Sequence, residues 1–252
     1  MKSSGGSWNP REEDSSPAAG KMMRRSLIHE LVERLGEPYH RMLGIDLSRR
    51  DSGEVFKWFL ASVLFGARIS ETIAIKTYKQ LERDGLLTPE RILARGWSRL
   101  VESLDKGGYV RYDYKTADKL LLLSDVLLRK YKGDLNKMHD EARDPAELES
   151  KLKELKGVGD VTANIFLREL RGTWRKANPL PQEHVILAAK NLGLIEVEDR
   201  GKALDGLLRL WRANALPNRS FVDFEVALLR LGKLYCRKSR CDGCAVRKWC
   251  KR

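Results

Sequence analysis

The first 235 residues of this 252-residue chain contain no cysteine, which excludes a scaffold stapled by disulfides across its length. Long apolar runs are missing as well. The longest nearly uncharged stretch, Trp58 to Ala67, is bracketed by Lys57 and Arg68 and reaches only half of the ~20 residues a bilayer span requires. It reads as buried core, and no membrane partner is expected. The first twenty residues lack the apolar segment of a secretory leader and are rich in Ser, Gly and Pro, so residues 1–22 read as a disordered tail. Negative charge is also scarce. Thirty-five acidic residues face 48 basic ones, a net +13 that excludes an acidic solvating protein and favours a polyanionic partner, nucleic acid or anionic lipid. With 42% hydrophobic residues the chain can bury a core, as one large or two small domains.

The cysteines that are present all fall at the C-terminal end, as Cys236, Cys241, Cys244 and Cys250. A run of the form Cys-x4-Cys-x2-Cys-x5-Cys brings four thiolates to one metal centre and points to a reducing compartment, cytoplasm with its nucleoid or a nucleus. Thiolates suit an iron–sulfur cluster and zinc alike. Between Lys233 and Arg252 eight basic residues face one acid, Asp242, so positive charge concentrates here.

Strand signals are few, whereas helical periodicity recurs with start and stop residues, so the chain reads as all-α. Glu54 to Gly66 is apolar nearly all round and predicts a buried central helix. Further helices are predicted over 70–83, from Thr88-Pro89, over 97–104, 116–130 and 144–155, from Asp160 to Arg171, and near 183–192, 201–213 and 221–235. Thr88-Pro89 and Asp144-Pro145 each place a capping side chain before a proline in the first turn, and Glu147 completes the form of a capping box.

Between two of these helices lies Leu155-Lys156-Gly157-Val158-Gly159-Asp160-Val161-Thr162-Ala163-Asn164. Two glycines around one apolar residue let the turn amides and those of the next helix's first turn, through Thr162, face outward onto a phosphate, with the helix dipole adding to the attraction. Such a turn also serves packing alone. Asp160 is a poor neighbour for a phosphate unless it turns inward as an N-cap. The segment resembles a helix-hairpin-helix, and its pattern is close to that of the endonuclease III superfamily of DNA base-excision glycosylases. The resemblance spans roughly residues 24 to 252.

The resemblance implies two helical lobes with DNA in the groove between them. One is a six-helix domain over 46–171; the other joins residues 23–45 to 172–252. It also implies that Cys236, Cys241, Cys244 and Cys250 hold a structural [4Fe–4S] cluster, zinc being the alternative, although the first gap has four residues instead of the family's six. Arg237, Lys238 and Arg240 in that gap would rest on DNA phosphates.

A glycosylase breaks the bond between C1′ and a flipped base, and a carboxylate stabilises the oxocarbenium-like sugar and orients water. The corresponding segment is Leu180-Pro181-Gln182-Glu183-His184-Val185-Ile186. Anchoring on Pro181 puts Glu183 at the catalytic position, and anchoring on His184-Val185 puts Gln182 there. Glu183 is preferred because an amide cannot do this chemistry. His184 reads as a packing or hydrogen-bonding residue. Val161 stands where bifunctional members carry the Schiff-base lysine, which implies hydrolysis by water; Lys156 and Lys176 are the other amines in range of the sequence argument. Tyr109, in the glycine- and tyrosine-rich segment 107–114, is expected to stack on bases. Arg68 is expected to fill the hole left by the flipped base, since Ala67 stands where relatives place a glutamine. The expected partner is duplex DNA with a damaged or mismatched base, bound by a monomer. A catalytically silent DNA-binding module is the alternative, motivated by Gln182, Val161 and Ala67.

Overall fold

The computed structural model describes residues 17–252. Among these residues it is helical, with thirteen α-helices, two 3-10 turns and no strand. No described helix is long and apolar enough to cross a membrane. The tail expectation falls largely on residues 1–16, outside the described residues, while residues 17–22 belong instead to the first helix.

Contacts divide the chain into two compact units. The unit over 38–180 contains α2 (Tyr39–Met42), α3 (Ser52–Phe65), α4 (Glu71–Arg83), α5 (Pro89–Arg95), α6 (Trp97–Lys106), α7 (Asp113–Tyr131), α8 (Leu135–Glu141), α9 (Pro145–Glu154) and α10 (Asp160–Glu169). Six of these have ten or more residues, namely α3, α4, α6, α7, α9 and α10. The central helix α3 is buried from Val55 to Leu64 apart from Lys57. The Trp58 indole donates to the Phe166 carbonyl at 3.0 Å, and the Phe59 ring meets Phe166 edge-on, so α3 is locked to α10. Gly66, at the end of α3, is required there because a Cβ would come within 2.1 Å of the Thr162 hydroxyl.

The helix starts read from sequence at Thr88 and Asp144 have the anticipated hydrogen bonds, and Ser70 adds a cap that was not anticipated. Ser70, Thr88 and Asp144 accept from the amides of Ile73, Arg91 and Glu147 at 3.2, 3.3 and 2.8 Å. Each such cap contributes about 1 kcal/mol. The capping box at Asp144 is one-sided, because Glu147 turns to the Arg143 amide and guanidinium at 2.8 and 2.7 Å.

The second unit joins α1 (Pro17–Leu35) to residues 181–252, with α11 (Glu183–Asn191), α12 (Arg200–Asn214) and α13 (Phe221–Leu234). Helix α13 is buried from Val222 to Gly232 and forms the axis of this unit. Gly232 lets α11 approach closely, since a Cβ there would lie 2.0 Å from the His184 carbonyl oxygen. Arg230 closes the other side by donating to the carbonyls of Leu35, at 2.9 Å, and Glu37.

The joins fall at 37/38 and 180/181, where sequence reading put them at 45/46 and 171/172. The physical reason lies in two segments. The amides of Tyr39 and His40 donate to Glu169 at 3.2 and 2.8 Å, which ties 38–47 to α10. Trp174 is buried against Phe166 and His139, which ties 172–180 to the same unit.

Candidate nucleic-acid interface and carboxylate

The hairpin lies wholly within the 38–180 unit. Helix α9 ends at Glu154, the chain turns through Gly157 at φ +90°, and α10 begins at Asp160. Val158 is buried and plugs the turn into the core, while Gly157 and Gly159 are exposed. The N-cap of α10 is Gly159, which has no side chain to bond the first amides, so the positive end of this helix is uncapped. Asp160 does not cap it. Its carboxylate remains exposed and pairs with Lys153 at 3.0 Å, one helix back, in place of the inward N-cap. Thr162 contributes only its backbone, because its side chain is buried against Gly66.

Gly157 has two independent constraints, the positive φ and the aliphatic stem of Lys119, which would lie 2.4 Å from a Cβ. Gly157→Ala is therefore expected to cost about 1–3 kcal/mol through backbone strain and displacement of that stem. Thermal unfolding of the variant measures it, and an unchanged midpoint would contradict this reading of the turn.

The two residues expected to contact bases have different surroundings. Tyr109 is 2% exposed and donates to the Leu64 carbonyl at 3.1 Å, and burial pushes its hydroxyl pKa to about 12. It is a core residue, and the stacking expectation for it is corrected: alternation of tyrosines in a loop did not reveal which one turns inward. The outward aromatic is Tyr114, 59% exposed, tilted against Trp97 with centroids 5.3 Å apart. Sequence reading did not single out Trp97 as a surface residue. Arg68 is exposed beyond α3.

In the other unit Gln182 is the N-cap of α11 but makes no side-chain capping bond, and Glu183 is the first helical residue. Glu183 is exposed, and among the described residues no ion pair or hydrogen bond engages its carboxylate. His184 is half-buried. Burial first, then Arg237 and Lys233, lower its pKa against the opposing influence of Glu183, which favours the neutral ring. Its Nε2 lies 3.4 Å from an Arg237 guanidinium nitrogen, which joins α11 to the cysteine loop.

The four cysteines are free and half-buried. Burial raises the Cys236 pKa first of all; the bond to Asn191 opposes it, and Cys244, Cys250 and Cys241 raise it further, so all four sulfurs lie within electrostatic reach. Among the described residues no group of three or more His, Cys, Asp or Glu side chains is arranged to hold a single metal ion. The segment is anchored at its end, where Trp249 and Lys248 reach Glu30 on α1 at 2.8 and 2.7 Å. Arg237, Lys238 and Arg240 are exposed.

No family model matches the chain, and no curated protein does. Solved structures match over nearly the whole length. A non-covalent endonuclease III–DNA complex is 20% identical, covering 92% of this chain and 95% of that one with a TM-score of 0.54. A trapped endonuclease III–DNA covalent intermediate is 21% identical over the same shares, with a TM-score of 0.53. The 3-methyladenine DNA glycosylase of H. pylori, bound to 1,N6-ethenoadenine, is 17% identical, covering 87% of this chain and 97% of that one with a TM-score of 0.55. The chain has the fold that these helix-hairpin-helix proteins share.

Proposed function

We propose that the chain is a DNA glycosylase of base excision repair that hydrolyses the bond between C1′ and a damaged or mismatched base. The observation that carries this reading is the exposed Gly157–Gly159 turn with an uncapped α10 N-terminus behind it, within a fold shared with DNA-bound glycosylases. Its amides pin a backbone phosphate without reading sequence. Glu183, with a carboxylate unengaged among the described residues, is the proposed catalytic group. As the C1′–N bond breaks, its electron pair leaves with the base, which takes a proton from solvent. The carboxylate stabilises the positive sugar, and water adds to C1′ while giving its proton to Glu183. Val161 is 55% exposed at the position where bifunctional relatives place an amine, and valine has none, so an abasic site is the product.

The experiment is a single-turnover assay on duplexes carrying uracil, mismatched thymine, oxidised, alkylated and deaminated bases. Free base over an intact abasic strand is expected from at least one. Tight binding without release from any would favour the silent module, for which Gln182 at the helix N-cap speaks.

The donor set of Cys236, Cys241, Cys244 and Cys250, four half-buried thiols in one short run, fits a [4Fe–4S] cluster by its chemistry. Such a cluster, when bound, holds the loop's shape and takes no part in base chemistry. Arg237, Lys238 and Arg240 would then present a fixed basic edge to the phosphates. Anaerobically purified protein is expected to contain iron and inorganic sulfide in equal amounts, and zinc without iron would contradict this.

A further inference from the structure

An open groove of ≈ 580 Å³ in the 38–180 unit begins at the hairpin residues Lys156 and Gly157 and runs along α7. Its rim carries Lys115 and Lys119 from α7 and Lys156 from the turn, with Gly157 at one end. Lys115 and Lys119 are one helical turn apart and so face the same side, ~5–6 Å from each other at Cβ. Three ammonium groups meet one lining carboxylate, Asp118, which accepts the Trp97 indole N–H at 2.8 Å. Among the described residues no hydrogen bond or ion pair engages the three amines. The Lys119 stem lies against Gly157, which places its amine beside the hairpin. Burial lowers its pKa, and no neighbouring acid offsets this.

We propose that this groove is a second backbone-phosphate site, in which Lys115, Lys119 and Lys156 grip duplex DNA beyond the phosphate pinned by the hairpin amides. The inference rests on the DNA-binding reading above and extends it along α7. Positive charge without internal partners matches a row of phosphates, and exposed Leu122 offers an apolar edge to the intervening sugar. Tyr114, on α7 itself, pairs with the Trp97 ring, whose indole N–H donates to the groove's Asp118.

The test is equilibrium binding of the full chain to an unmodified duplex across a salt series. Lys119→Met keeps the stem over Gly157 and removes the charge; Lys115→Gln and Lys156→Gln act at exposed positions; Lys137→Gln on α8 is the charge-matched control. Each groove variant is expected to weaken binding and flatten the slope of log K against log salt by about 0.9 per phosphate lost, with Lys137→Gln unchanged. A triple groove variant with the original slope and an unchanged melting temperature would overturn the proposal, as would an equal effect of Lys137→Gln. Base release separates the two ideas. If the unaltered protein excises a base but the triple variant keeps its slope, the groove falls and the enzyme stands; if no base is released yet the slope flattens, the groove stands alone. No duplex binding by the unaltered protein would overturn both.

Discussion

Glu183→Gln is expected to lower single-turnover base release by about 10²–10⁴-fold, the range for removing a positioned acid–base group. The amide is nearly isosteric and keeps the side-chain volume, but it neither balances a positive sugar nor accepts a proton from water. Because Glu183 is exposed and makes no hydrogen bond or ion pair among the described residues, its loss should not disturb folding or duplex affinity. This combination separates a chemical role from a structural one. The helix-end alternative, a carboxylate favoured only by the α11 dipole, would give a loss of about 0.3–1 kcal/mol in stability and no change in rate. Gln182→Glu in the Glu183→Gln background tests the other register, since recovery of base release would move the catalytic position by one residue.

The second large effect concerns a buried carboxylate of the 38–180 unit. Glu169 is fully buried and accepts from the Tyr39 and His40 amides at 3.2 and 2.8 Å and from His40 Nδ1 at 2.8 Å, with the Arg168 guanidinium 3.6 Å away. With the carboxylate ionised, His40 must carry its proton on Nδ1. Two nitrogens of Arg168, Nε and one terminal nitrogen, already lack hydrogen-bond partners, so the cation is compensated by Glu169 and by the face of the Tyr39 ring 5.9 Å away. Glu169→Ala is therefore expected to destabilise the 38–180 unit by about 3–5 kcal/mol, since it strands a buried charge and two amides. Denaturant unfolding would measure it, and a cost below about 1 kcal/mol, the value of an exposed pair, would contradict the assignment.

The same group fixes a pH dependence. Burial alone would raise the Glu169 pKa, but the His40 bond and Arg168 outweigh it and hold the value below the ordinary 4.5. The unfolded state then binds the proton more readily, so this contribution is fully present above that ordinary value and disappears as pH falls through the depressed folded one. The Glu169→Ala protein should therefore lose less stability on acidification than the unaltered chain.

Much of the fold was legible because the signals are local. Thr88-Pro89 and Asp144-Pro145 announce helix starts through hydrogen-bonding and steric preferences that need no tertiary context. The buried character of α3 follows from its nearly continuous apolar run. The missed helices α2 and α8 have four and seven residues, too few for a period to show, although Asp134 does cap α8 by accepting from the Asn136 amide at 2.9 Å. The hairpin was readable from glycine spacing, yet the partner of Asp160 and the stem of Lys119 beneath Gly157 depend on neighbouring helices. Tyr109 and Tyr114 look alike in sequence, and only packing distinguishes core from surface. The His40–Glu169 network spans 129 residues and leaves no periodic trace.

The measurement that bears most directly on the account is release of free base from lesion-bearing duplexes by the unaltered chain and by Glu183→Gln, at matched and saturating protein. The account predicts release from at least one lesion by the unaltered chain, an intact abasic strand that borohydride does not trap on the protein, and near-complete loss in the variant. Equal release by both proteins, or efficient borohydride trapping, would contradict it.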